Sequence, residues 1–224
     1  MKRIYSILLA LCVSSMLFAQ LSIWNGSSDI WTKGAGTEAS PYLIESAEQL
    51  AFISDMVNGG VTTYENTYFK LMTNIDLGQS AWIPISFCGI IDGNNHTISG
   101  IYCNAVGGYT GFIGQLVGGT VNNLQLSNSY FSRGGANVGG LAAYMKGGKV
   151  NSVYCDVIVN QTSASATSKN VGGLIGWAAD EVSVTNSWFA GTVTSKGRYT
   201  GGIVGFVNGT ANITDCLVTG KVQG

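Results

Sequence analysis

The residues best suited to acid–base or metal chemistry lie in one short segment. Asp92-Gly93-Asn94-Asn95-His96 combines a carboxylate, two amides and the only histidine of the 224-residue chain. Such a set could bind a small ion or act as an acid/base pair. Asp and Asn side chains also bond their own backbone in tight turns, in which Gly93 would adopt a positive φ. Because the sequence places no second acid or nucleophile nearby, we predict a structural turn.

Carboxylates are the next candidates, since cleavage of a glycosidic bond needs two of them a few ångströms apart. Adjacent Asp180 and Glu181 would point apart on an extended chain. Asp156 aligns with uncharged residues of the repeats described below, so no acidic stripe forms. A triad of the serine or cysteine type is not expected either, because the single histidine, His96, belongs to the N-terminal cap. We therefore expect no catalytic residue, no metal and no cofactor, with a polysaccharide-degrading enzyme as the alternative.

Aromatic residues offer a better binding hypothesis. Strand alternation would turn Tyr154 and Trp188 outward on adjacent rungs of one face. Flat rings at that spacing could form a platform for sugar rings, so both are predicted ligand-binding residues. The alternative is that they stack on each other and only stiffen the sheet. The neighbouring column would then point inward: Leu126, Cys155, Phe189 and Val218.

These positions belong to a repeat that occurs four times between Tyr109 and Gly224. Each repeat contains two short recurring motifs. The first, which we call the glycine line, begins with a glycine, and these leading glycines are 29, 33 and 29 residues apart. The second motif, or second line, starts about ten residues after the first. The first line reads Gly111–Gly114, Gly140–Ala143, Gly173–Gly176 and Gly202–Gly205. The second reads Val121–Leu124, Val150–Val153, Val184–Ser187 and Ile213–Cys216.

Periodicity of this kind indicates stacked coils. Short apolar runs between Gly, Asn, Ser and Thr are typical of strands. Three strands per repeat, such as Gly173–Trp177, Val184–Phe189 and Thr192–Thr194, predict an all-β, right-handed parallel β-helix. Glycine at the strand starts is expected to supply backbone angles forbidden to other residues. A polar ladder is expected at a second corner: Asn122, Asn151, Thr185 and Thr214.

Residues 20–108 are expected to form an N-terminal cap and the first irregular turns. Ser46 and Gln49 form a capping box for a helix over 46–58. That helix would bury Ala47, Leu50, Ile53 and Val57, stop at Gly59-Gly60 and cover the open end of the first coil. Less regular strands follow at Tyr68–Met72, Trp82–Ile85 and Thr97–Ile101.

Composition and targeting signals restrict the binding partners and the cellular location that we expect for this protein. Charged residues make up 10% and the net charge is −1, which argues against nucleic acid or an anionic membrane as a partner. Residues 1–19 have the pattern of a signal peptide, and no later segment is apolar enough to span a bilayer. We expect an exported protein at the cell surface or outside the cell, with the periplasm or the outer membrane as alternatives.

Four cysteines follow residue 19. Cys155 and Cys216 align with core columns of the repeat. They would lie too far apart to form a disulfide with each other. Cys88 and Cys103 could form a disulfide in an oxidising compartment, and the sequence leaves this open.

Several ordered motifs resemble the GLUG-repeat family of bacterial surface proteins. They are Thr37–Ile44, Asn74–Leu77, Phe87–Gly100 and the Gly-Leu-hydrophobic-Gly line. This resemblance implies a β-helical surface or secreted module, often found in adhesins. The module also occurs in relatives of immunoglobulin A proteases, but the zinc motif of those enzymes requires two histidines. The second repeat has Ala142-Ala143 where the other repeats have a larger hydrophobic residue followed by glycine. This departure from the family pattern puts the geometry of that corner in doubt.

The expected function is thus a non-catalytic exported module, with signal peptide 1–19, cap 20–108 and repeats 109–224, that binds glycans or a host surface protein. A longer surface protein whose function lies elsewhere is a further possibility, because the repeats stop at Gly224 without a closing element. An uncapped coil there predicts end-to-end self-association. The loop 161–169 could also contact a partner.

Overall fold

The structure is a computed structural model that describes residues 24–104, 108–133, 136–162 and 169–224, without the Arg133 side chain. The predicted signal peptide at 1–19 and most of the 161–169 loop lie outside the described residues.

Between residues 24 and 104 the structure has one helix among short strands. Its elements are β1 (Tyr42–Ile44), α1 (Ala47–Asn58), β2 (Tyr68–Leu71), β3 (Ile75–Ala81), β4 (Ile85–Phe87), β5 (Ile90–Asp92) and β6 (Thr97–Cys103).

In the described residues of the four repeats, each repeat has four strands. The first two hold β7 (Tyr109–Thr110), β8 (Ile113–Val117), β9 (Thr120–Asn122), β10 (Gln125–Arg133), β11 (Asn137–Gly139), β12 (Ala142–Lys146), β13 (Lys149–Asn151) and β14 (Tyr154–Gln161). The last two hold β15 (Asn170–Gly172), β16 (Ile175–Thr185), β17 (Trp188–Phe189), β18 (Thr192–Ser195), β19 (Tyr199–Gly201), β20 (Val204–Thr214), β21 (Leu217–Val218) and β22 (Lys221–Gln223).

Equivalent strands pair in parallel from one coil to the next, which confirms the predicted parallel β-helix. The described part of the chain forms about six turns. The expectation of three strands per repeat is wrong by one. A short extra strand precedes each leading glycine, where β11 pairs with both β7 and β15. The predicted strand Trp82–Ile85 is also wrong, since β3 ends at Ala81 and β4 begins at Ile85 after Pro84, which lacks an amide for the ladder.

The leading glycines are required for space and not for backbone angle. Gly140, Gly173 and Gly202 are absent from the positive-φ residues, contrary to expectation. A Cβ on Gly173 would lie 2.5 Å from the Phe189 ring, and one on Gly140 would lie 2.9 Å from Cys155 Sγ. The leading glycines of the second and third repeats therefore leave room for Cys155 and Phe189, which are inward side chains of the same coil.

The core runs along the inside of the coils. Leu126, Cys155 and Phe189 share one register column and have no exposed surface, as predicted. The polar ladder is confirmed as well, with Thr185 Oγ1 donating to Asn151 Oδ1 at 2.9 Å. Ala142 keeps its register with Ile175, so the departure from the glycine pattern leaves this rung intact.

Helix α1 covers the N-terminal end of the core. Ser46 caps it by accepting from the Gln49 amide at 3.3 Å, while Gln49 Oε1 accepts from the amide of Glu45 and not, as predicted, from that of Ser46. Leu50, Ile53 and Val57 are buried as expected, whereas Ala47 is only partly buried. The helix packs on β3 and β4 and ends at Gly59.

The possible Cys88–Cys103 disulfide is not formed, because Cys88 is a free thiol. Cys103 points into the core from β6, whereas Cys88 follows β4 in a different sheet. Cys155 is fully buried as predicted, and Cys216 is half-buried in the fourth repeat.

Candidate functional site

The segment Asp92–His96 is a structural turn. The Asn94 amide donates to Asp92 Oδ1 at 2.9 Å, and the His96 amide donates to the Gly93 carbonyl at 2.7 Å. Positive φ values fall on Asn94 and Asn95, not on Gly93 as expected. A Cβ on Gly93 would instead come within 2.5 Å of the next coil, so glycine is needed for close approach. Within the described ranges, no group of three or more His, Cys, Asp or Glu side chains could hold a metal ion.

The predicted binding residues occupy adjacent rungs of one face. Tyr154 on β14 pairs in register with Trp188 on β17, and their ring centroids are 5.0 Å apart. The rings meet edge to face at 73°, so they do not form the coplanar platform that the pattern suggested. Trp188 is 41% exposed and its Nε1 donates to Thr219 Oγ1 at 2.7 Å. One indole face is therefore held in place beside solvent.

A bulge in β10 opens a concavity further along the same sheet. Ser127 pairs with Asp156 and Tyr130 pairs with Ile158, so two residues of β10 oppose one of β14. Asn128, inside the bulge, has a φ of 44°, a left-handed value that Asn tolerates well. The concavity has a volume of about 550 Å³, and its lining includes Ser127, Asn128, Tyr130, Asp156, Ile158 and Thr192.

The concavity has aromatic residues on both sides along the strand direction. Tyr154 lies two residues before Asp156 on β14, which places Tyr154 and Trp188 at one side. At the other side Tyr130 stacks on Tyr102 with centroids 5.7 Å apart and an angle of 14°. Tyr102 is 38% exposed and Ile158 is 49% exposed. We call this surface the flanked concavity; it consists of the concavity with Tyr102, Tyr130, Tyr154 and Trp188.

Asp156 provides the charged group of the flanked concavity. The residue is exposed, and among the described residues no hydrogen bond or ion pair engages its carboxylate. Asp76 shares its register column through Ser99 and Ser127. Three rungs separate the two acids, a spacing of roughly 14 Å at the usual distance between strands. That exceeds the separation of the carboxylate pairs in glycosidases.

Sequence reasoning missed the part played by Tyr102, Tyr130 and the bulge. The signal lay in the unequal spacing between outward positions: Ser127 and Tyr130 are three apart, whereas Asp156 and Ile158 are two apart. That difference could have predicted a bulge.

A second aromatic ladder on another sheet was also missed, although its residues directly follow the glycine lines. Tyr144, Trp177 and Phe206 share a register column, with centroids 4.8 and 6.4 Å apart. All three rings are half-buried and tilted against one another. Tyr199 closes the ladder at 4.6 Å from Phe206. Rings packed in this way stabilise the stack and present less free surface to a ligand.

A larger groove of about 690 Å³ lies beside β4 and β8, where Trp82, Ile83, Pro84 and Tyr109 contribute to its lining. The Trp82 Nε1 donor is already used by the Phe112 carbonyl at 2.8 Å. Among the described lining residues no side chain carries a charge, so the groove offers less for polar recognition than the flanked concavity.

Comparison with known proteins confirms the resemblance to GLUG-repeat proteins. The family model described as the GLUG motif matches residues 196–223, which contain the fourth glycine line. A solved structure of a candidate immunoglobulin A1 protease from Bacteroides ovatus has a TM-score of 0.57 and 22% identity. The likeness covers 84% of this chain and 70% of that one, and at this identity it concerns the fold alone.

Two curated relatives are much longer proteins. A candidate Gly-rich membrane protein of Evansella cellulosilytica is 31% identical over 140 residues, which is 56% of this chain and 16% of that protein. Halomucin of Haloquadratum walsbyi is 29% identical over 226 aligned residues, which is 82% of this chain and 2% of halomucin. The chain therefore spans a small part of the length of each. Among the described residues no helix has the length and apolar character to cross a bilayer.

Proposed function

We propose that the protein is a non-catalytic, exported surface module that binds a neutral glycan chain at the flanked concavity. The observation that carries the proposal is a polar concavity with exposed aromatic rings on both sides, on one sheet. Sugars present apolar faces that can cover aromatic rings and hydroxyl groups that can donate to a carboxylate. A surface location draws support from the GLUG motif and from a relative named as a membrane protein.

The carbohydrate class follows from the charges. The flanked concavity contains an unengaged carboxylate at Asp156, and no Lys or Arg lies among its residues. A carboxylate accepts hydrogen bonds from hydroxyl groups and repels another carboxylate or a sulfate. Neutral glycans are therefore favoured over acidic ones.

A non-catalytic role is preferred for a reason of distance. Cleavage needs a second acid close to the first, and Asp76 lies about three rungs from Asp156, roughly 14 Å away. The His96 ring is engaged by a neighbouring coil, because its Nδ1 lies 3.3 Å from Asn74 Oδ1. Binding without turnover therefore suits the arrangement better than hydrolysis.

A glycan array with the purified protein tests this proposal, followed by titration calorimetry on any neutral oligosaccharide that binds. We expect Trp188→Ala and Asp156→Asn each to raise the Kd about tenfold or more, which corresponds to about 1.4 kcal/mol. The matched control is Trp177→Ala, which removes an aromatic ring from the other ladder and should leave the Kd unchanged. An array on which only acidic glycans bind, or none, would overturn the proposal.

A further inference from the structure

The two aromatic pairs of the flanked concavity lie on different coils. Tyr154 and Trp188 are register partners at the starts of β14 and β17. Tyr102 and Tyr130 are register partners on β6 and β10, the two strands on the other side of β14 in the sheet. On β14 itself, the position paired with Tyr130 is occupied by Ile158, which is aliphatic. Among the described strands of this sheet, none carries an aromatic residue at both positions.

The offset between the two pairs has two components. Along β14, the positions of Tyr154 and Ile158 are separated by roughly 13 Å at the usual rise of an extended chain. Across the strands, the two pairs are displaced by two coils, which is roughly 10 Å. The line from one pair to the other therefore crosses the sheet obliquely and is roughly 16 Å long.

The middle of this line is polar. Asp156 lies midway between Tyr154 and Ile158 on β14, and it is exposed. Its register partner Ser127 and the bulge residue Asn128 line the same part of the concavity. Carboxylate, hydroxyl and amide groups at this place suit hydrogen bonds to the centre of a ligand whose two ends lie on rings.

Each pair is also tied to another coil by a hydrogen bond. Asn160 Nδ2 on β14 donates to Tyr130 Oη at 3.1 Å, and Tyr102 stacks on the Tyr130 ring. Trp188 Nε1 donates to Thr219 Oγ1 at 2.7 Å. Rings that are already held in position lose little conformational freedom on binding, so both pairs are prepared for a ligand.

We propose that the ligand is an internal stretch of a linear neutral glycan that crosses the sheet obliquely, with one sugar on the Tyr154–Trp188 pair and a later sugar on the Tyr102–Tyr130 pair. This proposal rests on the proposed function and specifies its ligand. A single sugar, or the end of a short branch, reaches only one pair. Affinity therefore depends on chain length, since both pairs contribute to binding only when one molecule spans them.

An array of linear neutral glucans, mannans and galactans, each from the monosaccharide to the octasaccharide, tests the proposal. Calorimetry then gives the Kd for every length in a series that binds. We expect the Kd to fall at least tenfold between the disaccharide and the octasaccharide. Tyr102→Ala should remove most of this gain and leave the Kd of the disaccharide unchanged. The matched control is Tyr144→Ala, which removes a ring from the other ladder and should preserve the gain.

The outcomes separate this proposal from the proposed function. Binding that Trp188→Ala weakens, but with the same Kd at every length, would overturn the oblique chain and leave glycan binding in place. A length effect that Tyr102→Ala does not reduce would overturn it as well. Failure of every neutral series to bind would overturn both proposals. The comparison of lengths on the unaltered protein needs no variant, and circular dichroism checks that Tyr102→Ala keeps its strands.

Discussion

The indole of Trp188 donates from Nε1 to the Thr219 hydroxyl at 2.7 Å, so a ring on one coil is fixed by a side chain of the next. This bond determines which indole face remains open beside Tyr154. It links the fourth repeat to the proposed sugar surface, although Thr219 itself does not line the concavity.

Replacing Thr219 by Val should therefore weaken glycan binding without removing any ring. A hydrogen bond of this kind contributes about 1 kcal/mol, so the Kd should rise about two- to fivefold in calorimetry. Thr210→Val serves as the control, since Thr210 is exposed on a different sheet. An unchanged Kd in Thr219→Val would mean that Trp188 needs no help to present its face.

The glycine lines should tolerate no added methyl group. In Gly173→Ala the new Cβ would lie 2.1 Å from the Gly202 carbonyl oxygen and 2.5 Å from the Phe189 ring. Because backbone atoms cannot move aside cheaply, we expect the free energy of unfolding in urea to fall by about 1–3 kcal/mol.

The control for this substitution is Gly108→Ala, where nothing lies within 4 Å of the added Cβ. Its unfolding free energy should stay within about 0.5 kcal/mol of the parent value. Equal losses in the two variants would contradict the explanation based on space.

The N-cap of α1 should be measurable in stability. Ser46→Ala removes the acceptor for the Gln49 amide and should lower the free energy of unfolding by about 1 kcal/mol. Ser46→Asp keeps an acceptor and should retain most of the stability. If the Ser46→Ala and Ser46→Asp variants have the same free energy of unfolding in urea, the cap contributes nothing to the stability of α1.

Cysteine reactivity should distinguish the buried thiol of Cys155 from the partly exposed thiols of Cys88 and Cys216. Burial, and then the neighbouring Asp156, raises the pKa of the Cys155 thiol, so little thiolate forms there. At about pH 8.5, near the ordinary thiol value, iodoacetamide should label Cys88 and Cys216 in the native protein and leave Cys155 unmodified. Peptide mass spectrometry gives the extent at each site, and labelling of Cys155 at the rate of Cys216 would show that the core opens.

The repeat could be predicted from sequence because the same columns recur. Leu126, Cys155, Phe189 and Val218 align without gaps, and so do their outward neighbours. The bulge at Asn128 was harder to recognise, because β6 and β10 share the three-residue spacing and the change of register falls between β10 and β14. The angle between Tyr154 and Trp188 also escaped prediction, because a register column fixes where two rings start but not how they turn.

The role of glycine was misjudged for a related reason. A sequence shows that a side chain is absent but not what fills the vacated volume. The Phe189 ring beside Gly173 is such a filling, contributed from the same coil some 16 residues later.

In the second, third and fourth repeats the leading glycine lies against a side chain of its own coil, namely Cys155, Phe189 and Val218. The cavity and the group that occupies it are inherited together whenever a repeat is duplicated or lost. A gene can therefore lengthen or shorten the rod by whole blocks, about 4.8 Å at a time, without redesigning its interior.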